Sequence, residues 1–326
     1  MKTKGRLLFR EALFCDILPL MGYYLAPLEG ITDYNFRNAY SEIFGGVDKM
    51  FTPFLAPNST KKFPTRELKN IDTSINDVNL VVPQLLTNNA EHFIWAMEKI
   101  VDRGFNEINF NLGCPSGTVV TKKKGSGLLF YPDEMDTLLT EIFDAADKLD
   151  CKISIKTRLG KNDPDEFYEI LDIYNKYPIH ELTIHPRIQQ DIYKGNVRME
   201  YFDYAYEHSK NPLVYNGDIV SNDGLKVIEE KYPDLAGIML GRGLIAKPWI
   251  LTTDEPDMEG LWRLHDAIFA ELIATMSGDL PTLHHMKELW ALWHVNFENQ
   301  AKDIKALMKT KKLSEYQIII NRLREK

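Results

Sequence analysis

A (β/α)8 barrel followed by an all-helical module is the fold class that this 326-residue sequence predicts. Three observations lead there. Strand-like stretches alternate with helix-like ones over the first three-quarters of the chain. Polar and glycine residues gather just behind nearly every strand. The alternation then stops after Trp249.

Eight stretches rich in β-branched and aromatic residues read as strands: 23–27, 47–51, 80–85, 107–111, 152–157, 181–186, 212–217 and 237–241. Amphipathic stretches such as 90–104 and 132–149 lie between most of them. That alternation implies parallel strands joined by right-handed crossovers, and eight units suit a closed barrel. Behind the strands stand Pro27-Leu28-Glu29-Gly30, Gln84, Asn111-Leu112-Gly113-Cys114, Lys156-Thr157-Arg158, His185-Pro186-Arg187, Asn216-Gly217-Asp218 and Gly241-Arg242-Gly243. In a barrel these positions ring the face where active sites are built. A doubly wound sheet would gather them at one switch point instead.

The barrel is expected over residues 22–250 and the helical module over 251–326, where 261–276, 282–300 and 313–326 carry helical patterns. Trp290, Trp293 and Phe297 fall at i, i+3 and i+7, the spacing of a helix core rather than of a stacking platform. His284, His285 and His294 lie nearby, but no carboxylate or cysteine completes a ligand set, so no metal is expected. Residues 1–21 precede the first strand. Their apolar run is broken by Arg10, Glu11 and Asp16 and has no small-residue cleavage site, which argues against a secretory signal. Two readings remain for this stretch: a short pre-barrel extension, or a true start at Met21.

With 44% hydrophobic and 26% charged residues, the chain has the composition of a soluble globular protein with a substantial core. Cys15, Cys114 and Cys151 are odd in number, far apart and free of CxxC pairs, which fits a reducing cytoplasm better than a disulfide framework. No run approaches the ~18–20 apolar residues of a membrane span. A net charge of −8 speaks against nucleic-acid binding, yet the charge is uneven. Residues 301–326 hold eight basic residues against three acidic ones, a local +5 that leaves −13 on the rest. Either that tail faces a polyanion or it is a solvated helix face.

The last two strand ends place glycine where backbone must approach something closely. In barrels the loops after strands seven and eight commonly build a phosphate site, so Asn216, Gly217, Asp218, Gly241 and Arg242 suggest an anion cradle for a phosphorylated cofactor. Lys156 sits at an inward strand end. A buried ammonium there suits a Schiff base, the stabilisation of an electron-rich cofactor such as a reduced flavin, or a structural salt bridge. His185, also at a strand end, fits phosphate or flavin contact or a satisfied core position.

Read together, APLEGITDYNFR, the Gln84 strand end, NLGCPSGTVVTKKKGSGLL, IKTRLG, IHPR, YNGDI and GRGLIAKPW resemble the tRNA-dihydrouridine synthase family in order and spacing, over roughly residues 22–326. The resemblance implies an FMN-binding barrel, NADPH or NADH as reductant, tRNA as substrate, and a C-terminal helical domain that helps hold the tRNA. It implies flavin contacts at Pro27, Leu28, Glu29, Gln84, Lys156, His185, Asn216, Gly217, Asp218, Gly241 and Arg242. Cys114 becomes the acid that protonates C5 of a uracil after hydride reaches C6, and an ordinary thiol pKa near ~8.5 keeps it protonated at neutral pH. Contacts to the RNA fall to Asn111, to Lys122, Lys123 and Lys124, which suit phosphate better than the sulfur, and to Arg187. A monomer is expected.

The chain departs from the family pattern in places. His185-Pro186-Arg187-Ile188-Gln189 lacks a second arginine that the family usually shows, and Leu28 and Glu29 replace a Met and a small residue. Two rival readings are a barrel flavoenzyme acting on a small pyrimidine or dihydroorotate, and a non-catalytic RNA-binding relative. The helical module and basic tail argue against the first; Cys114, Lys156 and the complete cradle argue against the second.

Overall fold

The structure, a computed structural model, describes residues 21–325. Both readings of residues 1–20 therefore lie outside the described residues. Nine parallel strands form a single sheet: β1 (Gly22–Leu25), β2 (Lys49–Phe51), β3 (Val81–Val82), β4 (Gln84–Leu85), β5 (Glu107–Leu112), β6 (Lys152–Gly160), β7 (Leu182–Ile188), β8 (Leu213–Tyr215) and β9 (Gly237–Leu240). β1 pairs with both β2 and β9, from Tyr24↔Lys49 on one side to Leu25↔Leu240 on the other.

The stretch expected as one strand over 80–85 is two. Proline has no N–H to give a ladder, and Pro83 interrupts it. β3 pairs with β2 (Met50↔Val81), while β4 pairs with β5 (Gln84↔Asn109). The two ends of the sheet thus meet within five residues of chain, and the Pro83 carbonyl still accepts from Asn109 N at 2.8 Å. A parallel bridge between Leu55 and Leu85 adds to the seam.

β6 and β7 run further than the sequence pattern suggested. Lys156 and His185 therefore stand within strands rather than at their ends. Three hydrogen bonds from the Arg158 guanidinium hold the extension, to the carbonyls of Gly113 (2.9 Å), Ile188 (3.1 Å) and Ile192 (2.7 Å). A register shift between Arg158 and Gly160 marks where the pairing slips.

Helices return the chain between strands, and several start where sequence chemistry requires. Asp33, Asn89 and Ser221 each cap a helix by accepting a backbone N–H: Tyr34–Ile43, Ala90–Val101 and Asn222–Lys231. Pro132 opens Pro132–Lys148 at the one position where its missing N–H costs nothing. After the barrel come Met258–Thr275, Asp279–Trp293, Ala301–Leu307 and Leu313–Arg324. Trp290, Trp293 and Phe297 are buried among them, as core. One apolar core runs without a break from the barrel wall into these helices. Trp293 Nε1 donates to Ile245 O at 3.0 Å and Asn296 Nδ2 to Ala246 O at 2.7 Å.

Among the described residues, no helix is long and apolar enough to cross a membrane. Nor does any group of three or more His, Cys, Asp or Glu residues among them sit where it could hold a metal ion.

Candidate active site

A cavity of about 900 Å3 opens at the carboxyl ends of the strands, within the ~300–1,000 Å3 expected of a small-molecule or cofactor site. It brings together Pro27, Leu28, Glu29, Gln84, Asn111, Cys114, Lys156, His185, Asn216, Gly217, Asp218, Gly241 and Arg242, all of them expected from the sequence. Lys122, Lys123, Lys124 and Arg187 do not line it.

Alternation along strands decides what faces inward. On β6, Ser154, Lys156 and Arg158 share one face, whereas Ile153 and Ile155 pack outward into the core beneath the helices. Lys156 is partly buried, and among the described residues its one hydrogen bond goes to Asn216 Oδ1 at 2.6 Å. Burial, seconded by the Arg158 charge, lowers its pKa to about 7. An ammonium with three donors and one acceptor is incompletely satisfied, and its remaining donors border the cavity.

His185 lines the cavity while spending both ring nitrogens on protein. Nδ1 lies 2.7 Å from Asn216 O, and Nε2 lies 3.2 Å from Arg187 Nη1. Arginine can only donate, so Nε2 accepts and Nδ1 carries the proton. Burial, with help from Lys156 and Arg158, pushes the imidazole pKa well down, leaving the ring neutral. Its ring can reach a ligand, but both its nitrogens are occupied by protein.

Arg187 is 0% exposed and serves Asp218, the Gly195 carbonyl and His185. Asp218 also takes Arg242 Nη2 at 3.1 Å. Burial works against the Asp218 carboxylate, but the two guanidiniums outweigh it and hold its pKa below the usual range. Two cations around one anion leave the cradle net positive, with Arg242 partly exposed and stacked on Tyr193 at 4.6 Å. The glycines are required here. A Cβ on Gly243 would meet Ile219 O at 1.9 Å, and one on Gly217 would meet Tyr215 Oη at 2.0 Å. A Cβ on Gly241 would make ordinary contact with Ala26 Cβ at 3.5 Å and Leu28 Cδ1 at 3.7 Å, both residues of the cavity wall.

Cys114 stands half-buried above this floor. Asn111 Oδ1 accepts from Gly113 N (3.1 Å) and Cys114 N (2.9 Å), folding the loop back over its own strand. The Gly-Ser-Gly behind the lysines braces that loop. Ser126 Oγ donates to Cys114 O at 2.8 Å, and Gly125, at φ +55°, packs so close that a Cβ would lie 3.0 Å from the Cys114 Cβ. Burial raises the thiol pKa against the pull of the Ser116 N–H and Arg158. The thiol is thus held protonated more firmly than an exposed cysteine, which departs from the ordinary value expected from sequence.

The three lysines sit on the outer side of this loop. Lys122 is exposed, Lys123 pairs with Glu134 at 2.7 Å and lies over Tyr131 at 4.0 Å, and Lys124 is partly buried with a lowered pKa, from burial first and Lys122 second. Glu29 pairs with Arg66 at 2.9 Å, and burial raises its pKa. Gln189, where the family pattern has its second arginine, donates to Pro115 O at 3.0 Å and so fastens the Cys114 loop.

Sequence reasoning missed several lining residues. Arg158 was legible, two residues from Lys156 and hence on the same face. Tyr193, and Ala291, Leu292, His294 and Val295 from the far helices, had no local signal; tertiary packing brings them to the cavity.

The dihydrouridine synthase family model matches residues 24–321, nearly the whole described chain. The chain belongs to the dihydrouridine synthase family. It is 30% identical over 270 residues to a probable tRNA-dihydrouridine synthase of Staphylococcus epidermidis, covering 78% of this chain and 80% of that one. It is 29% identical over 241 residues to tRNA-dihydrouridine synthase B of Pasteurella multocida, covering 72% and 69%. Among solved structures, morphinone reductase in complex with tetrahydroNAD matches with a TM-score of 0.50 at 10% identity, over 73% of this chain and 89% of that one. At that identity the likeness speaks for the barrel alone.

Proposed function

We propose that this site reduces uridines in tRNA to 5,6-dihydrouridine, with FMN as its bound redox group. The observation that carries the reading is a half-buried Cys114, its thiol pKa raised by burial, lining the same cavity as Lys156, which has a single hydrogen-bond partner among the described residues. The residues present fit the cofactor. The net-positive cradle of Asp218, Arg187 and Arg242, beside the cavity-lining Gly241, suits a single phosphate. Lys156 offers a cation to balance the charge that reduction places on a flavin, and Gln84 offers an amide N–H. Pro27 and Leu28 supply apolar wall, and Glu29 and the His185 ring complete it.

When bound, FMN would supply hydride for C6 of the uracil, with NADPH or NADH as the reductant. Cys114 gives its proton to C5, and its raised pKa keeps that proton available at neutral pH. Asn111 holds the Cys114 loop through two backbone amides and keeps an N–H for the base. Lys122 and its neighbours face the RNA backbone from the outer side of the loop. Arg187, enclosed as it is, positions Asp218 and His185 rather than touching RNA. The helical segment, residues 251–326, forms the tRNA-binding domain on the barrel of residues 22–250, and the protein acts as a cytoplasmic monomer.

Purified protein should be yellow and release FMN on denaturation. With NADPH and tRNA lacking dihydrouridine it should form that nucleoside. Release of FAD, or turnover of free uracil or dihydroorotate in place of tRNA, would overturn the reading.

A further inference from the structure

We propose that Ser154 and Asn109 are positioning residues: with Glu107 they form a one-way hydrogen-bond chain through the barrel lumen that fixes how Gln84 and Asn111 face the cavity. The proposal rests on the reading that Gln84 meets the flavin and that Cys114 is the acid.

The chain starts at the amino ends of the strands. There Lys49 Nζ lies 2.8 Å from Glu107 Oε2 and 2.9 Å from Glu181 Oε1, so Glu107 is an anion that only accepts. Ser154 Oγ donates to Glu107 Oε1 at 2.7 Å, which leaves its lone pairs for Asn109 Nδ2 at 3.0 Å. Having spent Nδ2 on Ser154, Asn109 turns Oδ1 to Gln84 Nε2 at 2.8 Å. Gln84 then turns Oε1 to Asn111 Nδ2, also at 2.8 Å. Asn111 is left with Oδ1 for the backbone N–H groups of Gly113 and Cys114.

Both ends of the chain are one-way. A carboxylate cannot donate and a backbone N–H cannot accept, so the amides between them have one consistent orientation. Reverse any one and two donors face each other in a site where Asn109 is 0%, Ser154 1% and Gln84 1% exposed. The consequence at the cavity is chemical. Gln84 and Asn111 each have a single polar hydrogen left over, so each offers a donor and not a carbonyl. That suits a flavin acceptor and a uracil carbonyl.

Stability does not account for the chain. Elsewhere in the barrel Tyr24, Ala26, Phe51, Val82, Val214 and Met239 form an apolar cluster, and apolar filling is the cheaper solution for a barrel core. A satisfied polar chain that ends on the catalytic loop calls for a functional reason.

The test uses the full-length, flavin-loaded protein with Ser154→Ala, Ser154→Thr, Gln84→Ala and the Ser154→Ala/Gln84→Ala double variant. Ser154→Ala should keep its flavin and melt within a few degrees of wild type. It should shift the flavin midpoint potential and lower kcat roughly five- to tenfold, with KM for tRNA unchanged, because the two hydrogen bonds lost, to Glu107 and from Asn109, act on the cavity only through the orientation of Gln84. Ser154→Thr, which keeps the hydroxyl, should restore both. In the Gln84→Ala background, Ser154→Ala should add nothing to the potential shift, because it acts through Gln84. An unchanged potential and kcat in Ser154→Ala, or a shift that simply adds to that of Gln84→Ala, overturns the chain. A Gln84→Ala protein with wild-type flavin affinity and potential would instead overturn the assignment of Gln84 beneath it, and the chain's purpose with it.

Discussion

Lys156 in the barrel and His265 in the helical segment are both titratable groups whose pKa burial lowers, yet their surroundings differ. His265 is 1% exposed, with Nδ1 2.8 Å from Asp266 Oδ1 and Nε2 2.7 Å from the Tyr316 hydroxyl, which in turn takes Trp290 Nε1 at 2.8 Å. Both nitrogens are engaged, and aromatic rings pack around the imidazole. Lys156 has one partner and borders a cavity. Burial lowers both pKa values, but only the lysine is left with donors to spend on a ligand. A buried polar group whose bonds are all made is scaffold; one left short beside a cavity is part of a site.

The basic residues of the helical segment divide in the same way. Arg322 pairs with Asp303 at 3.3 Å, and Arg324 pairs with Asp266 and lies over Trp262 at 4.7 Å. Those two arginines belong to the scaffold. Lys302, Lys305, Lys309, Lys311 and Lys312 are exposed.

The comparison can be broken most severely at Cys114. Cys114→Ala should lower dihydrouridine formation by ~10²–10⁴-fold, the usual cost of losing a general acid. Flavin content, NADPH oxidation and tRNA affinity should stay as they are. Near wild-type turnover would move the acid elsewhere.

Neutralising Lys305, Lys309, Lys311 and Lys312 together is the converse experiment. Affinity for tRNA should fall, and the log–log salt dependence should flatten by ~0.7–0.9 for each RNA phosphate that is no longer neutralised. NADPH oxidation without tRNA should be untouched. Unchanged affinity and slope would return these lysines to a solvated helix face.

Lys156 gives a pH signature in flavin-free protein. Its pKa is about 7 in the folded state against 10.5 as an ordinary lysine. Between those values the unfolded chain holds a proton that the folded one does not, so this group makes stability rise with pH across that window. Below pH 7 its full penalty applies. Melting temperatures measured from pH 7 to 10 should show that rise, and Lys156→Met should remove this contribution. An identical profile in the variant would mean that the lysine is charged when folded.

The smallest effect is expected where the two regions touch. Asn296→Ala removes the donor to Ala246 O at the end of the short helix Arg242–Ala246, which begins at the cavity-lining Arg242. A destabilisation of ~0.5–1.5 kcal/mol is expected, with a few-fold weaker flavin retention. Wild-type flavin affinity would confine the helical segment to RNA.

Much of this was legible before any coordinates. The strand ends and glycines marked the rim of the cavity because parallel barrels collect such residues on one face. The polar lumen was legible too, had the period of two been read inward: Glu107, Asn109 and Asn111 alternate on one strand, and Ser154, Lys156 and Arg158 on the next. The engagement of Arg187 and of both His185 nitrogens was not, since it depends on Asp218 and Asn216 arriving from another strand end.

By itself, then, the sequence determined the succession of strands and helices, the helix starts at Asp33, Asn89 and Ser221, and the identity of Cys114 and Lys156 as the groups worth watching. These follow from local backbone preferences and from residue types that are costly to bury. Tertiary structure alone decided which hydrogen bonds those groups already spend on protein, that burial raises the Cys114 pKa while lowering that of Lys156, and that Ala291, Leu292, His294 and Val295 line the cavity from the far end of the chain. Desolvation and hydrogen-bond satisfaction depend on every atom packed around a group, and most of those atoms lie far away in sequence.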